Sequence, residues 1–331
     1  NELDRLNHSD GRPMAVSETL WDVLQASRAA GLFTGGLVVP SLLDALVWAG
    51  YDRSFESLPL IQTSLSLSRP GMPDPSGVIV WDAPTRSLIL PDSVRLDLGG
   101  IAKGWAADQA VRRLSHLGPA LVDAGGDIAI SEVKNDGQAW PVGIDDPFNA
   151  GAHFETLKLG QCGVATSGKD YRRWLKDGFW QHHIIDPRTG LPADTDVLTA
   201  TVIAPTAVEA ETAAKAVLIL GSQAGLDWLE ADTGLASVLV LENGNRIYSR
   251  NMEKYLWSSQ WHRKFSIKSR KRTPKWSTNP ASRSRHSWCS CWLSSSVSSQ
   301  PPTSCRPGCL GWLVRSQDPA RRHIGTCRVE P

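Results

Sequence analysis

Apolar residues recur at helical spacing from Val16 through Leu20, Val23 and Leu24, with Ser17 placed to open the run. Gly35-Gly36 breaks the pattern, and Leu42, Leu43, Leu46 and Val47 predict a second short helix. Between about residues 60 and 100 the period falls to two. Gly77-Val78-Ile79-Val80-Trp81 and Ser87-Leu88-Ile89-Leu90 read as strands, and Arg95-Leu96-Asp97-Leu98 alternates like one. A helix is predicted over 102–117, followed by strands at 120–122, 127–130, 141–144 and 198–204. Another helix is predicted over 206–220. A hairpin, 237–242 with 246–249, turns at Asn243-Gly244, a pair that suits a type I′ turn. Strands and helices mix without regular βαβ alternation, so the pattern predicts an α+β fold. No internal repeat is visible.

Periodicity stops after residue 257, and composition changes with it. Residues 258–331 hold 14 of the 35 Lys and Arg but two of the 34 acids, leaving 21 bases and 32 acids before them. An acidic body therefore precedes a basic Ser/Arg/Cys/Trp-rich tail, and the overall charge of +1 describes neither. Five of the six cysteines lie in the tail, which has only nine Leu, Ile, Val or Phe in 74 residues, too few for a packed core. The tail lacks the paired C-x2-C spacing of zinc sites, and its basic, Trp-containing character alone makes a weak case for nucleic acid. It reads as disordered or as translation in a shifted frame. The domain boundary is accordingly expected at 257. The chain begins at Asn1 without a Met or a signal-peptide profile, and no apolar run reaches the roughly 18 residues of a membrane span. An N-terminal truncation is expected, with the cellular side, extracytoplasmic or cytoplasmic, left open.

Three clusters in the body carry polar and glycine residues suited to chemistry. Asp97-Leu98-Gly99-Gly100-Ile101-Ala102-Lys103-Gly104 joins a glycine pair to a helix start, where free N–H groups and a lysine suit an anion. It matches neither a P-loop nor a dinucleotide fingerprint, and as a bare pattern it suits a tight turn. Gly125-Gly126-Asp127 lies between two strands, as in a hairpin or bulge. The third cluster is Thr166-Ser167-Gly168 with His182-His183-Ile184-Ile185-Asp186-Pro187-Arg188-Thr189-Gly190, whose Asp-Pro-x-x-Gly suits a turn. The adjacent histidines point to opposite faces of an extended chain and cannot chelate one metal together. Absence of H-E-x-x-H and G-x-S-x-G argues against a zinc hydrolase and an α/β serine hydrolase.

In this order the clusters resemble the ApbE-type FAD:protein FMN transferases. The resemblance rests on Asp97–Asp108, Gly125–Asp127, Ala165–Gly168, His182–Gly190, Val202–Pro205 and the opening Asn1–Asn7 with Val16-Ser17, and spans about residues 1–257. It implies a transferase that moves FMN from FAD to a Thr or Ser hydroxyl of an acceptor flavoprotein, releasing AMP, with Mg²⁺ assisting. The alternative is an FAD-binding module of the same fold with little or no transfer.

By resemblance, His183 and Asp186 are the catalytic candidates. Gly99, Gly100, Lys103, Gly104, Asp127, Thr166, Ser167 and Gly168 are expected to contact FAD. The family's metal positions fall at Ala102, through its carbonyl, at Glu211 and at Lys215, which marks a place rather than a ligand. Glu211 and Lys215 stand one helical turn apart. They are either an ordinary surface pair or an ammonium at the metal position, which would repel Mg²⁺ or partly replace its charge. The family's T-G-G-x-F-D-P-T segment also departs here, reading Thr34-Gly35-Gly36-Leu37-Val38-Val39-Pro40-Ser41.

Overall fold

The structure, a computed structural model, describes residues 1–63 and 79–257. The start of the strand predicted at Gly77-Val78, and every reading of the tail from 258, lie outside the described residues. The described part is α+β, as the pattern predicts. Its helices are α1 (Glu2–Asn7), α2 (Glu18–Phe33), α3 (Leu43–Ala49), α4 (Ala102–Leu114), α5 (Ala207–Leu220) and α6 (Ser222–Glu230). Its main sheet is an antiparallel meander of β1 (Leu121–Asp123), β2 (Ile128–Ile130), β3 (Cys162–Gly168), β4 (Val197–Ala204), β5 (Ala236–Leu241) and β6 (Arg246–Tyr248), neighbours in sequence also being neighbours in space. No described helix is long and apolar enough to cross a membrane.

Both faces of this sheet are covered, which is why β4 and β5 read as nearly continuous apolar runs. On one face α5 packs through Ala210, Ala213, Ala214 and Val217 onto Ala165, Ala200, Val202 and Leu239. On the other, a hairpin of Trp140–Asp145 and His153–Leu159 buries Ile144, Leu157 and Leu159, joined by Met252 and Leu256. α4 meets α5 through Ala107, Val111 and Ala207, while Ala216 of α5 reaches the core formed by α2 and the 88–101 segment. α5 is thus central and packed against on nearly every side, most of its residues being apolar.

Its N-terminus is fixed twice over. Thr206 Oγ1 accepts from Glu209 N–H, and the Glu209 carboxylate accepts from Thr206 N–H, each at 3.2 Å. The Asp108 carboxylate of α4 accepts from the Ala207 and Val208 N–H groups at 2.9 and 3.0 Å. α4 and α5 are therefore one rigid pair.

Two local expectations are corrected. Residues 95–98 form no ladder: Leu96 exchanges hydrogen bonds with the Asn7 amide (2.7 and 2.8 Å), and Asp97 N–H donates to Pro40 (2.8 Å). The alternating burial is real, but a side chain replaces the partner strand. The Asn243-Gly244 turn is not type I′, because Asn243 has no positive φ. Gly244 alone is left-handed (φ 82°) and donates to Leu241, with Leu241 N–H returning to Asn245, a three-residue loop with a glycine bulge.

Gly163 of β3 lies under the start of α5, where an added Cβ would overlap the Thr206–Ala207 backbone. Gly163→Ala is expected to cost about 1–3 kcal/mol, lowering the thermal midpoint by roughly 2–4 °C for each kcal/mol; an unchanged midpoint would show that helix and sheet separate freely. Leu256 is buried and bridges to Leu157. A chain ending at Trp257 is therefore expected to keep the midpoint of the full chain, and a marked fall would move the boundary proposed at 257.

Candidate active site

The Asp97–Gly104 segment is a tight turn feeding α4. Asp97 Oδ1 accepts from Gly99 N–H at 2.9 Å, and Leu98 carbonyl accepts from the Ile101 and Ala102 N–H groups. Neither Gly99 nor Gly100 has a positive φ, so backbone conformation is not what demands glycine. Close approach is: a Cβ on Gly100 would lie 3.3 Å from Lys215 Cε. The Lys215 stem crosses the turn and its ammonium reaches Glu211 Oε1 at 2.9 Å.

Glu211 is almost completely buried, at 1% exposure. Its Oε2 accepts from Gly104 N–H in the first turn of α4 (3.0 Å), and Lys103 Nζ lies 3.7 Å from Oε1. Lys103 also pairs with the buried Asp127, at the start of β2. Burial alone would raise the Glu211 carboxyl, but the Lys215 and Lys103 charges and its hydrogen bonds hold it below its usual value. Burial, and then the neighbouring Glu211 charge, push Asp127 up. The surface-pair reading of Glu211 and Lys215 is thereby corrected: both belong to a buried network between α4 and α5.

Beside this network lies a cavity of about 220 Å³. The Leu37–Pro40 segment and Ile184, Ile185 and Ile219 supply apolar walls, while Asp97, Arg172, His183 and Lys215 supply the polar groups. His183 Nδ1 is enclosed and without a hydrogen-bond partner among the described residues. Burial, with the charges of Lys215 and Arg172 and the neighbouring His182, outweighs a hydrogen bond to the Arg172 backbone and brings the His183 pKa down to about 3, so the imidazole is neutral. His182 turns away. Its Nε2 pairs with the Ala193 carbonyl (3.0 Å), its Nδ1 accepts from Ile184 N–H, and it plays a structural part.

Of the residues expected from sequence, Gly99, Gly100, His183 and Lys215 line the cavity. Lys103, Asp127 and Glu211 stand behind them in the charge network, with Ala102 in the helix start between. Gly104 is placed differently: a Cβ there would meet the Ala207 carbonyl at 2.8 Å, so it serves the crossing of α4 and α5. Thr166, Ser167 and Gly168 do not line the cavity. They lie on β3, where the Thr166 and Thr201 hydroxyls pair at 2.9 Å across the strands. Asp186 is also absent from the cavity wall; both its oxygens are engaged by Arg188 (2.8–3.2 Å) in the Asp186–Gly190 turn. Sequence reasoning gave no role to Asp97, Arg172 or Tyr51. Asp97 opens the first glycine cluster, and Arg172 follows the Thr166–Gly168 segment by four residues. Tyr51, stacked on Trp174 with ring centroids 5.4 Å apart, carries no sequence signal.

A sequence model described as the ApbE family matches residues 1–239. An FAD:protein FMN transferase of Treponema pallidum (strain Nichols) is 32% identical over 256 residues, covering 72% of this chain and 70% of that protein. One of Vibrio cholerae is 31% identical over 240 residues, covering 70% of each. Among solved structures, the ApbE protein from Thermotoga maritima aligns with a TM-score of 0.67 and 26% identity, over 76% of this chain and 82% of that one. The flavin transferase ApbE from Vibrio cholerae gives a TM-score of 0.62 at 23% identity, over 77% and 82%, and speaks for the fold alone.

The two histidines make a pH prediction. Both have folded pKa values below that of the unfolded chain, His182 at about 4 and His183 at about 3. The unfolded state therefore binds more protons below about pH 6.5, and their stabilising contribution is lost as pH falls toward the folded values. Asp127 and Asp97, both raised, act in the opposite direction. Comparison with His183→Asn isolates the histidine: the variant's midpoint should fall less than the parent's between about pH 7 and about pH 5. Parallel curves would show that His183 is not buried neutral.

Proposed function

The chain belongs to the ApbE family, and we propose that it is an FAD:protein FMN transferase. The reaction joins an acceptor Thr or Ser oxygen to the flavin-side phosphorus of FAD. The bond from that phosphorus to the bridging oxygen breaks, AMP departs with that oxygen, and the hydroxyl proton leaves on a base. The product is a phosphodiester-linked FMN on a flavoprotein.

The observation that carries this reading is His183. A neutral imidazole, one of whose nitrogens has no hydrogen-bond partner among the described residues, lines the same cavity as the Gly99–Gly100 turn. Neutral histidine has a lone pair to receive a hydroxyl proton, and arrival of an anionic phosphate would raise its pKa toward the working range. The apolar walls suit a flavin ring, and the turn with Lys215 suits phosphate oxygens. Asp97 and Arg172 complete the polar groups around the reacting centre. His182 and Asp186 support the geometry from outside, one bonded to Ala193 and the other to Arg188.

Magnesium, which the family resemblance implies, does not fit these residues as they stand. Mg²⁺ takes six oxygen ligands in near-ideal octahedral geometry. It is commonly held by one or two carboxylates together with substrate phosphates and water, so the state of the carboxylate nearest the turn decides the fit. Glu211 is already committed to Gly104 N–H through one oxygen and to the Lys215 ammonium through the other. No step of the proposed transfer is therefore routed through a metal.

Mixing the protein with FAD and an acceptor flavoprotein, followed by mass analysis of the acceptor, tests the function. The expected outcome is an FMN-sized adduct on a Thr or Ser; FAD bound stoichiometrically without an adduct would instead indicate a binding module. His183→Ala is expected to retain FAD but lose transfer by on the order of 10² or more. Undiminished transfer in that variant would remove the histidine from the mechanism.

A further inference from the structure

Lys215 is the one lysine among the residues that line the cavity. It projects from the central, buried helix α5, yet its side chain is 14% exposed and lines the cavity. Its stem is seated against Gly100, where any side chain would crowd it. Its ammonium is held by Glu211 Oε1 at 2.9 Å, and its charge is felt by both Asp97 and His183. An ammonium has three N–H donors, and the structure uses one on Glu211. The others remain for an anion beside the Gly99–Gly100 turn.

A divalent cation brought to Glu211 would have to displace this ammonium or stand beside it. The second arrangement places like charges a few ångströms apart in a poorly hydrated site, where repulsion is strong. Displacement would break the buried pair and leave the lysine charge without its partner.

Resting on the transferase reading, we infer that Lys215 is the built-in counter-charge for the pyrophosphate of FAD, so that this chain binds FAD without a divalent cation. Lys103 does not share the task, because it is paired with Asp127 and does not line the cavity. Lys215 thus acts as a binding residue through direct charge-assisted hydrogen bonds, and the stem-to-glycine contact aims it.

Titration of FAD and of riboflavin into the full chain, in EDTA and again in excess Mg²⁺, tests this. The parent should bind FAD in EDTA, with Mg²⁺ changing its affinity by less than about threefold. Lys215→Met, which keeps the stem and removes the charge, should bind FAD at least about tenfold more weakly in EDTA. Its riboflavin affinity should be unchanged, since riboflavin has no phosphate and the same ring. A parent that gains about tenfold or more from Mg²⁺ overturns the inference without needing any variant. So does a Lys215→Met protein that binds FAD like the parent, or one that loses riboflavin equally. A parent that binds neither FAD nor riboflavin would overturn the flavin reading itself. FAD binding of the expected pattern without acceptor labelling would leave Lys215 in place and overturn only the transfer.

Discussion

Glu211 is an acid inside a protein core, and the site is organised around the groups that make its burial tolerable. An ionised carboxylate in such a place needs both charge and hydrogen bonds; removing one partner of a buried pair typically costs about 3–5 kcal/mol. Glu211 draws its partners from three directions: Gly104 N–H and Lys103 from α4, and Lys215 from its own helix. Lys103 extends the network to Asp127 at the head of β2. The carboxylate also completes the N-terminus of α4, where the helix dipole favours negative charge.

That one requirement sets the cavity. If α4 must bring Gly104 to Glu211, the Asp97–Ile101 turn feeding α4 has a single place to go, beside the Lys215 stem. Gly104 and Gly163 allow the approaches that this demands, the first between two helices and the second between strand and helix. Asp108 then locks the start of α5 to α4. His183 lines the cavity while His182, its neighbour, is tied to the Ala193 carbonyl. The polar groups are thus positioned by packed elements whose own places are over-determined, the condition under which a site is precise.

Much of this was legible in the chain. Pattern marked α2, α4, α5 and most strands of the sheet, because burial on one face leaves a repeat and burial on every face leaves a continuous apolar run. The separated motifs also pointed to the regions that converge, although motif membership does not say which neighbour a residue meets. Gly100 and Gly104 look alike in sequence, yet one abuts a lysine in the cavity and the other a helix backbone. Asp186 looked catalytic beside His183, but its turn gives both oxygens to Arg188, two residues away. Thr166 to Gly168 are expected from their motif to contact FAD, and they end a central strand whose pairing with β4 only the three-dimensional fold shows. Glu211 and Lys215 were open to two readings, although the alanines on every side of α5 already spoke against a surface helix. The Asn7 amide standing in for a strand beside Leu96 left no local signal, since its partner lies 89 residues away.

The central claim is spatial: flavin in the cavity beside His183, and pyrophosphate over the Gly99–Gly100 turn within reach of Lys215. A crystal structure of the FAD complex tests it most directly. The account predicts phosphate oxygens hydrogen-bonded to Lys215 Nζ, and the flavin-side phosphorus beside the His183 ring. FAD phosphates seated instead along Thr166–Gly168, with Lys215 still turned wholly to Glu211, would contradict it.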